Sequence, residues 1–518
     1  MHIKGWSVWD PDSHAPILRD LNLVFGEGER ILLLGPSGCG KSTLALCLNG
    51  LVPQSRPAGV SGHIEVRGFD TRTTPTREVA RHVGIVFQDP DSQFCTMTVE
   101  DEIAFGLENR AVPRSEMEDR IAAALQRVGM ADARKRRLTS LSGGEKQRVA
   151  IAAVLVGEPD FIILDEICSQ LDPSGAREVL QALSALSQAF PRLTLLFIDH
   201  RIPLILHNVP ISRAVVLDAE GRVRLDCSPS ALLNRHRDTL RSLGIAPYPR
   251  WNAPPASSSG RTKPKRGKPL VQVESLRFSY PDKHEAIRDV SLSLWAGETL
   301  ALVGANGSGK STLARLMVGL ERSQVGRVLH AGRPIRRWRA AALAETVGYV
   351  FQNPEHQFIA QTVGEELAME GKLQGDPPAL LDEKVREVLQ RLGLASQASR
   401  NPFELSEGQK RRLSVFTMVF YPRPLLVLDE PTLGQDTRNL ELLCDDLQAL
   451  QANGMTLILI SHDLNLVAQL ADRVGVMERG RILAEGSPEV VFSDPAWMVR
   501  GRLLSSTEPA VSQREESR

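Results

Sequence analysis

The sequence has no excess of either charge: Lys plus Arg and Asp plus Glu each number 62 in 518 residues. A chain devoted to nucleic acid normally carries a strong basic excess, so no nucleic-acid partner is expected. It also lacks a long uninterrupted apolar run. The longest nearly apolar stretch, Leu193 to Ile211, is broken by Asp199, His200 and Arg201, so no transmembrane span is expected. No charged-then-apolar signal pattern opens the chain. Cysteine is sparse. Cys39, Cys47, Cys95, Cys168, Cys227 and Cys444 show neither CxxC nor Cys/His spacing, which excludes a disulfide framework and a zinc site. What remains, 42% hydrophobic and 24% charged, is the usage of a soluble cytosolic protein. At this length it is expected to hold roughly two to four domains.

The chain is present twice over. GPSGCGKST begins at Gly35 and GANGSGKST at Gly304, and Lys41 and Lys310 stand 269 apart (310 − 41). VFQDPDSQF and VFQNPEHQF place Gln88 and Gln352 264 apart (352 − 88), and Ser142/Ser406 and Asp165/Asp429 keep that spacing. The change of five residues points to an insertion near 54–60 of the first half. Such a repeat implies two homologous domains, 1–246 and 270–504. The Pro-, Ser- and Gly-rich segment 247–269 reads as a flexible linker that cannot bury a core. Its run of Arg261, Lys263, Lys265, Arg266 and Lys268 suits solvent or an anionic membrane surface. The polar tail, 505–518, is expected to be disordered.

Within each half the pattern is α/β. ERILLLG and ETLALVG read as buried strands entering a Gly-rich turn and then a helix. FIILDE, LLVLDE, TLLFIDH and TLILISH read as further buried strands, ending in carboxylates or a histidine. Alternating strands and helices imply a mostly parallel sheet with its chemistry at the strands' carboxyl ends.

GxxxxGK[ST] between strand and helix carries a physical mechanism: backbone N–H groups turn inward around phosphate oxygens at a helix N-terminus. The nucleotide-binding residues are therefore expected to be Gly35, Pro36, Ser37, Gly38, Cys39, Gly40, Lys41, Ser42 and Thr43 in the first half. Their counterparts are Gly304, Ala305, Asn306, Gly307, Ser308, Gly309, Lys310, Ser311 and Thr312. Lys41 and Lys310 suit the β- and γ-phosphates, and Ser42 and Ser311 suit Mg²⁺. Asp165 and Asp429 suit the Mg²⁺ shell, with Gln88 and Gln352 able to reach metal or water. Glu166 and Glu430 can polarise an attacking water, and His200 and His462 can bridge each glutamate to the γ-phosphate. Cys39 reads as a tolerated small residue, and Ile167-Cys168, standing where the second half has Pro431-Thr432, as packing.

Taken together, the P-loops, Gln88/Gln352, LSGGE/LSEGQ, LDE and His200/His462 resemble the ATPase subunits of ABC systems across nearly the whole chain. The resemblance implies two tandem ABC-type ATPase domains, each with a helical subdomain, that hydrolyse ATP with Mg²⁺. It further implies a pseudo-heterodimer of the chain's own halves, closing head to tail over two ATP molecules. Ser142, Gly143 and Gly144 would then close the Lys310 site, and Ser406 and Gly408 the Lys41 site, where Glu407 replaces a glycine. A carboxylate beside a γ-phosphate should repel it unless turned outward, so two unequal sites are expected. Asp172 and Asp436 are the implied D-loop positions. Tyr280 fits the family's adenine-stacking role, and Trp9 corresponds to it if the first half carries two extra residues before Leu18.

Without a membrane span, such an ATPase could power transport only through separate membrane subunits. FQ[DN]PxxQ followed by TVxxE resembles the ATPases of energy-coupling factor (ECF) importers. That implies a peripheral position on the cytoplasmic membrane face, with a transmembrane T-component and a substrate-binding S-component as partners. The cargo would be a vitamin, vitamin precursor or metal ion. Gln93, Gln357, Glu100, Glu102, Glu365 and Glu366 are the implied groove contacts for coupling helices, or else a solvated helix start. The alternatives are a twin ATPase acting on ribosomes or DNA, against which the neutral charge and short linker count, and a fused sugar-import ATPase.

Overall fold

A computed structural model describes residues 1–11, 14–169, 171–245, 267–281, 285–432, 437–501 and 503. Most of the expected linker, the tail from 505 onward and Asp436 therefore lie outside the described residues. Two compact units emerge, one of residues 1–171 and 175–249, the other taking in 250–518.

In the first unit, β1 (His2–Trp9), β2 (Pro16–Val24), β4 (Gly59–Val66) and β5 (Phe69–Asp70) form an antiparallel sheet ordered β2-β1-β4-β5. The main sheet takes β3 (Arg30–Leu34), β6 (Val83–Val86), β7 (Phe161–Asp165), β8 (Thr194–Ile198), β9 (Arg213–Leu217) and β10 (Val223–Cys227) in the order β10-β9-β3-β8-β7-β6. Its pairings are parallel except for the β9–β10 edge. The runs RILLL, FIILD and TLLFI show no polar alternation because both faces are covered. Leu32, Leu34, Ile162, Leu164 and Phe197 enter one core; Ile31, Leu33, Ile163, Leu196 and Ile198 enter the other. Each such side chain contributes about 1.5–3 kcal/mol on burial.

The second unit repeats this plan. β11 (Val271–Ser279), β12 (Glu285–Leu294), β14 (Val325–His330) and β15 (Arg333–Pro334) make the antiparallel sheet. β13 (Thr299–Val303), β16 (Val347–Val350), β17 (Leu425–Asp429), β18 (Thr456–Ile460), β19 (Arg473–Glu478) and β20 (Arg481–Gly486) make the main one, ordered β16-β17-β18-β13-β19-β20. In each unit three helices follow the strand that ends at the glutamine: Val99–Glu108, Arg114–Arg127 and Gly143–Leu155, then Val363–Gln374, Pro378–Leu392 and Glu407–Val419. In the second unit these helices close over a core of their own that includes Phe358, Leu367, Leu389 and Leu413.

The five extra residues of the first half can be located from two glycine pairs. Gly50 and Gly319 keep the P-loop offset, whereas Gly62 and Gly326 keep the later one, so the insertion lies between 50 and 62, where Leu51–Gln54 makes an extra helical turn. Gly62 and Gly326 mark a close backbone approach: both have positive φ, and a Cβ would lie 2.2 Å from Gly5 O or 2.4 Å from Ser275 O.

Candidate functional site

Each P-loop leaves the end of a buried strand and enters a helix, Lys41–Leu48 or Lys310–Met317. The residue before each helix is a glycine in the left-handed region, Gly40 at φ 95° and Gly309 at φ 103°, and neither helix start is capped by a side chain. Backbone N–H groups at these ends are thus available to an anion. The two lysines adopt matching poses. Lys41 Nζ donates to Gly35 O at 2.8 Å and Pro36 O at 2.9 Å; Lys310 Nζ donates to Gly304 O and Ala305 O at the same distances. Burial lowers the Lys310 pKa against the opposing pull of Glu430 and Asp429. Cys39 lies buried inside the first loop, and burial raises its thiol pKa, as befits a packing residue.

The strand-end carboxylates stand beside the P-loop serines. Ser311 Oγ donates to Asp429 Oδ1 at 2.9 Å, while Ser42 acts to lower the Asp165 pKa. Burial, reinforced by the neighbouring Glu166 charge, pushes the Asp165 pKa up to about 6. Burial also raises that of Asp429, against hydrogen bonds from Tyr349 and Ser311. A serine hydroxyl and one carboxylate are hard oxygen donors, and among the described residues no cluster of three or more His, Cys, Asp or Glu could cage a metal. This sparse set, with Asp165 Oδ1 buried and without a hydrogen-bond partner among the described residues, fits Mg²⁺, which keeps waters and phosphate oxygens in its shell.

Glu166 and Glu430 both occupy left-handed backbone, at φ 49° and 48°, although neither is glycine. Their N–H groups remain tied to the next strand, to Ile198 O at 2.8 Å and Ile460 O at 2.9 Å. Such outliers cost about 1–3 kcal/mol and gather at functional sites. His200 Nε2 lies 3.0 Å from Glu166 Oε1, and a ring nitrogen of His462 lies 2.9 Å from Glu430 Oε2. Burial would raise both glutamate pKa values, but the histidine partners and the P-loop lysines outweigh it and hold them low. Each glutamate is thus kept as a carboxylate, able to accept a proton.

Gln88 is half-buried and Gln352 exposed, and both are held through their main chains. Gln147 Nε2 donates to Gln88 O at 2.9 Å; Arg411, at the same repeat position, donates to Phe351 O at 2.8 Å and Gln352 O at 2.5 Å. The sequence reading missed this pair because the two residues differ chemically. Their shared offset of 264 from one half to the other was the available signal.

Ser142 and Ser406 are N-caps in reciprocal capping boxes with Glu145 and Gln409. The acid of the signature has therefore moved rather than been added: it is the third residue of the helix in LSGGE and the first in LSEGQ. Glu407 is exposed, and Lys410 Nζ lies 3.3 Å from its carboxylate while also pairing with Glu355. The matching pair in the first half is Lys146–Asp91, with neutral Gln147 beside it, whereas in the second half the added Glu407 carboxylate also acts on the buried Arg411 guanidinium. Gly408 has no room for a side chain, since a Cβ would lie 2.6 Å from Asn439 Nδ2.

Three expectations need correction. Trp9 pairs with Pro16 and Ser279 with Glu285, so the backbone register sets Trp9 opposite Ser279. The first half has one extra residue in this hairpin, not two. Tyr280, whose phenol lies 3.1 Å from Thr312 Oγ1, touches its P-loop helix; Trp9 is half-buried beside Gly59. Glu102 and Glu366 are not groove contacts. Both are buried, Glu102 accepting from the N–H groups of Cys95 and Thr96, and Glu366 from those of Ile359 and Ala360. Gln93 and Gln357 are likewise turned inward: Gln93 accepts from Phe87 N–H, and Gln357 donates to Ser414 O. Close to these buried acids the surface is apolar: Ile359, whose N–H Glu366 accepts, is 75% exposed, and Met97, just after the loop that Glu102 holds, is 68% exposed. Ile167 and Cys168 are buried in the core, in keeping with a packing role. Among the described residues, no helix is long and apolar enough to cross a membrane.

A family model described as ABC transporter matches residues 18–169 and 287–433. A Bacillus subtilis (strain 168) protein named "Putative HMP/thiamine import ATP-binding protein YkoD" is 39% identical over 515 residues, covering 95% of this chain and 92% of that protein. A Methanosarcina acetivorans protein named "Putative ABC transporter ATP-binding protein" is 37% identical over 536 residues, covering 95% and 87%. The solved complex of the archaeal ribosomal stalk protein aP1 and the archaeal ribosome recycling factor aABCE1 matches with a TM-score of 0.60 at 20% identity, covering 93% of this chain and 90% of that one. At that identity the likeness is one of fold.

Proposed function

Since the chain belongs to the ABC transporter family and is an ATPase with two fused ATP-binding domains, we propose that it is the energy-coupling subunit of an ECF-type importer. The observation that supports this most is its near full-length likeness to a protein named for HMP/thiamine import. By the same likeness the cargo is a vitamin or vitamin precursor, selected by a separate membrane polypeptide. The chain would work as a peripheral subunit on the cytoplasmic membrane face.

In this reading the P-loop N–H groups and Lys41 or Lys310 hold the phosphates of ATP, and Tyr280 stacks on one adenine. Bound Mg²⁺, held beside Ser42/Asp165 and Ser311/Asp429, would neutralise phosphate charge. Glu166 and Glu430 accept the proton of the attacking water, and His200 and His462 fix the glutamates' orientation, with Gln88 and Gln352 reaching toward the same water. The halves close head to tail, Ser142, Gly143 and Gly144 meeting one ATP and Ser406 and Gly408 the other. Fusion keeps both halves at high mutual concentration.

Met97 and Ile359, both exposed beside the loops that Glu102 and Glu366 hold, are the proposed seats for the coupling helices of the T-component. Purification of the tagged chain from mild-detergent extracts is expected to bring down a stoichiometric polytopic membrane protein. The double variant Met97→Asp/Ile359→Asp should lose that partner yet still gain thermal stability from ATP. Ribosomes or nucleic acid in place of a membrane protein would overturn the importer reading and leave the ATPase intact.

A further inference from the structure

The two Asp residues proposed to face Mg²⁺ are held differently. Both oxygens of Asp429 are engaged: Ser311 Oγ donates to Oδ1, and Tyr349 OH donates to Oδ2, each at 2.9 Å. Tyr349 is buried, and Arg315, on the helix that leaves the P-loop, acts on the phenol through its charge. The first half holds no counterpart. The matching positions are Ile85 and Leu46, both apolar, and Asp165 Oδ1 is buried without a hydrogen-bond partner among the described residues.

We propose that Tyr349 is a positioning residue that fixes Asp429 before the metal–nucleotide complex arrives, so that the second site takes Mg²⁺–ATP more tightly than the first. Fixing a carboxylate in advance removes the cost of ordering it during binding. The arrangement is a one-sided addition to an otherwise duplicated site. Tyr349 also borders a cavity of about 440 Å³, with Leu316, Val347 and Trp338 among its walls, so Tyr349→Phe can shed the hydroxyl without crowding its neighbours.

The inference rests on reading Asp429 as a metal-shell residue, and the experiment separates the two. Full-length protein carrying Glu166→Gln and Glu430→Gln is loaded with ATP and titrated with Mn²⁺, free ion being counted by electron paramagnetic resonance. Two unequal classes of bound Mn²⁺ are expected. Tyr349→Phe should weaken the tighter class by about tenfold, the scale of one hydrogen bond to a charged group, and leave the weaker class unchanged. Arg315→Leu should act in the same direction with a smaller effect. A tight class unmoved by Tyr349→Phe, or a parent with a single class, overturns the proposal. If Asp429→Asn also leaves the tight class in place, the reading of Asp429 itself fails.

Discussion

Glu430→Gln is expected to leave less than about a tenth of the parent ATPase turnover, and Glu166→Gln to leave roughly nine-tenths, as two additive sites of unequal rate require. The substitution keeps the side chain's shape and its histidine neighbour but removes the proton acceptor, a contribution of about 10²–10⁴ in rate at the site concerned. The difference between the variants follows from the signatures. On the proposed head-to-tail closure, the Glu430 site meets Ser142, Gly143 and Gly144, a turn with no charge at its first helical position. The Glu166 site meets the turn that carries Glu407. Lys410 and the buried Arg411 each offset part of that carboxylate, but Glu355 already draws on the same lysine. Repulsion of the γ-phosphate is therefore reduced rather than removed, and the Glu166 site is the slower one. Steady-state ATP hydrolysis by full-length single and double variants decides this: equal residual rates for the two single variants would defeat the asymmetry, and the double variant should fall by at least about a hundredfold.

Asp165→Asn is expected to raise the melting temperature of the nucleotide-free protein while disabling its first site. Burial moves the Asp165 pKa from its ordinary 3.8 to about 6. A carboxyl with a raised folded-state pKa destabilises the fold once ionised. That cost is absent below pH 3.8, grows between pH 3.8 and 6, and is complete above pH 6. A shift of this size is worth about 3 kcal/mol at most, which is at most about 6–12 °C in a domain of this size. Melting curves in EDTA at pH 8 should show the gain, and curves near pH 4 should show it gone. Asp429→Asn should gain less, because it gives up charge-assisted bonds from Tyr349 and Ser311. A lower or unchanged melting point for Asp165→Asn at pH 8 would refute the assignment of uncompensated charge to Asp165.

Much of this was legible in the sequence where the determinants are local. The P-loops, the strand-end LDE runs and the buried all-apolar strands depend on a few adjacent residues, and the offset of 269 falling to 264 located the insertion now seen between Gly50 and Gly62. What stayed hidden was set by long-range geometry. Glu102 and Glu366 look like solvated acids at a helix start, yet both fold back to collect the N–H groups of the preceding loop. The Trp9 register slipped because the β1–β2 and β11–β12 ladders contain bulges, which spacing alone does not reveal. Tyr349 and Asp429 stand 80 residues apart, and nothing local to either announces the bond between them.

The left-handed backbone at Glu166 and Glu430 bears on how this chain can decay. Glycine or asparagine sits in that region with less strain than glutamate, so replacing the proton acceptor would relax the backbone at the strand end while giving up the pairing with His200 or His462. Charge removal at Asp165 would relax the same half again. Silencing the first half through Asp165 is therefore a downhill step for folding, and such a copy would persist as a sound, idle domain. Drift toward a chain with one working engine meets resistance only from the work that the second engine performs.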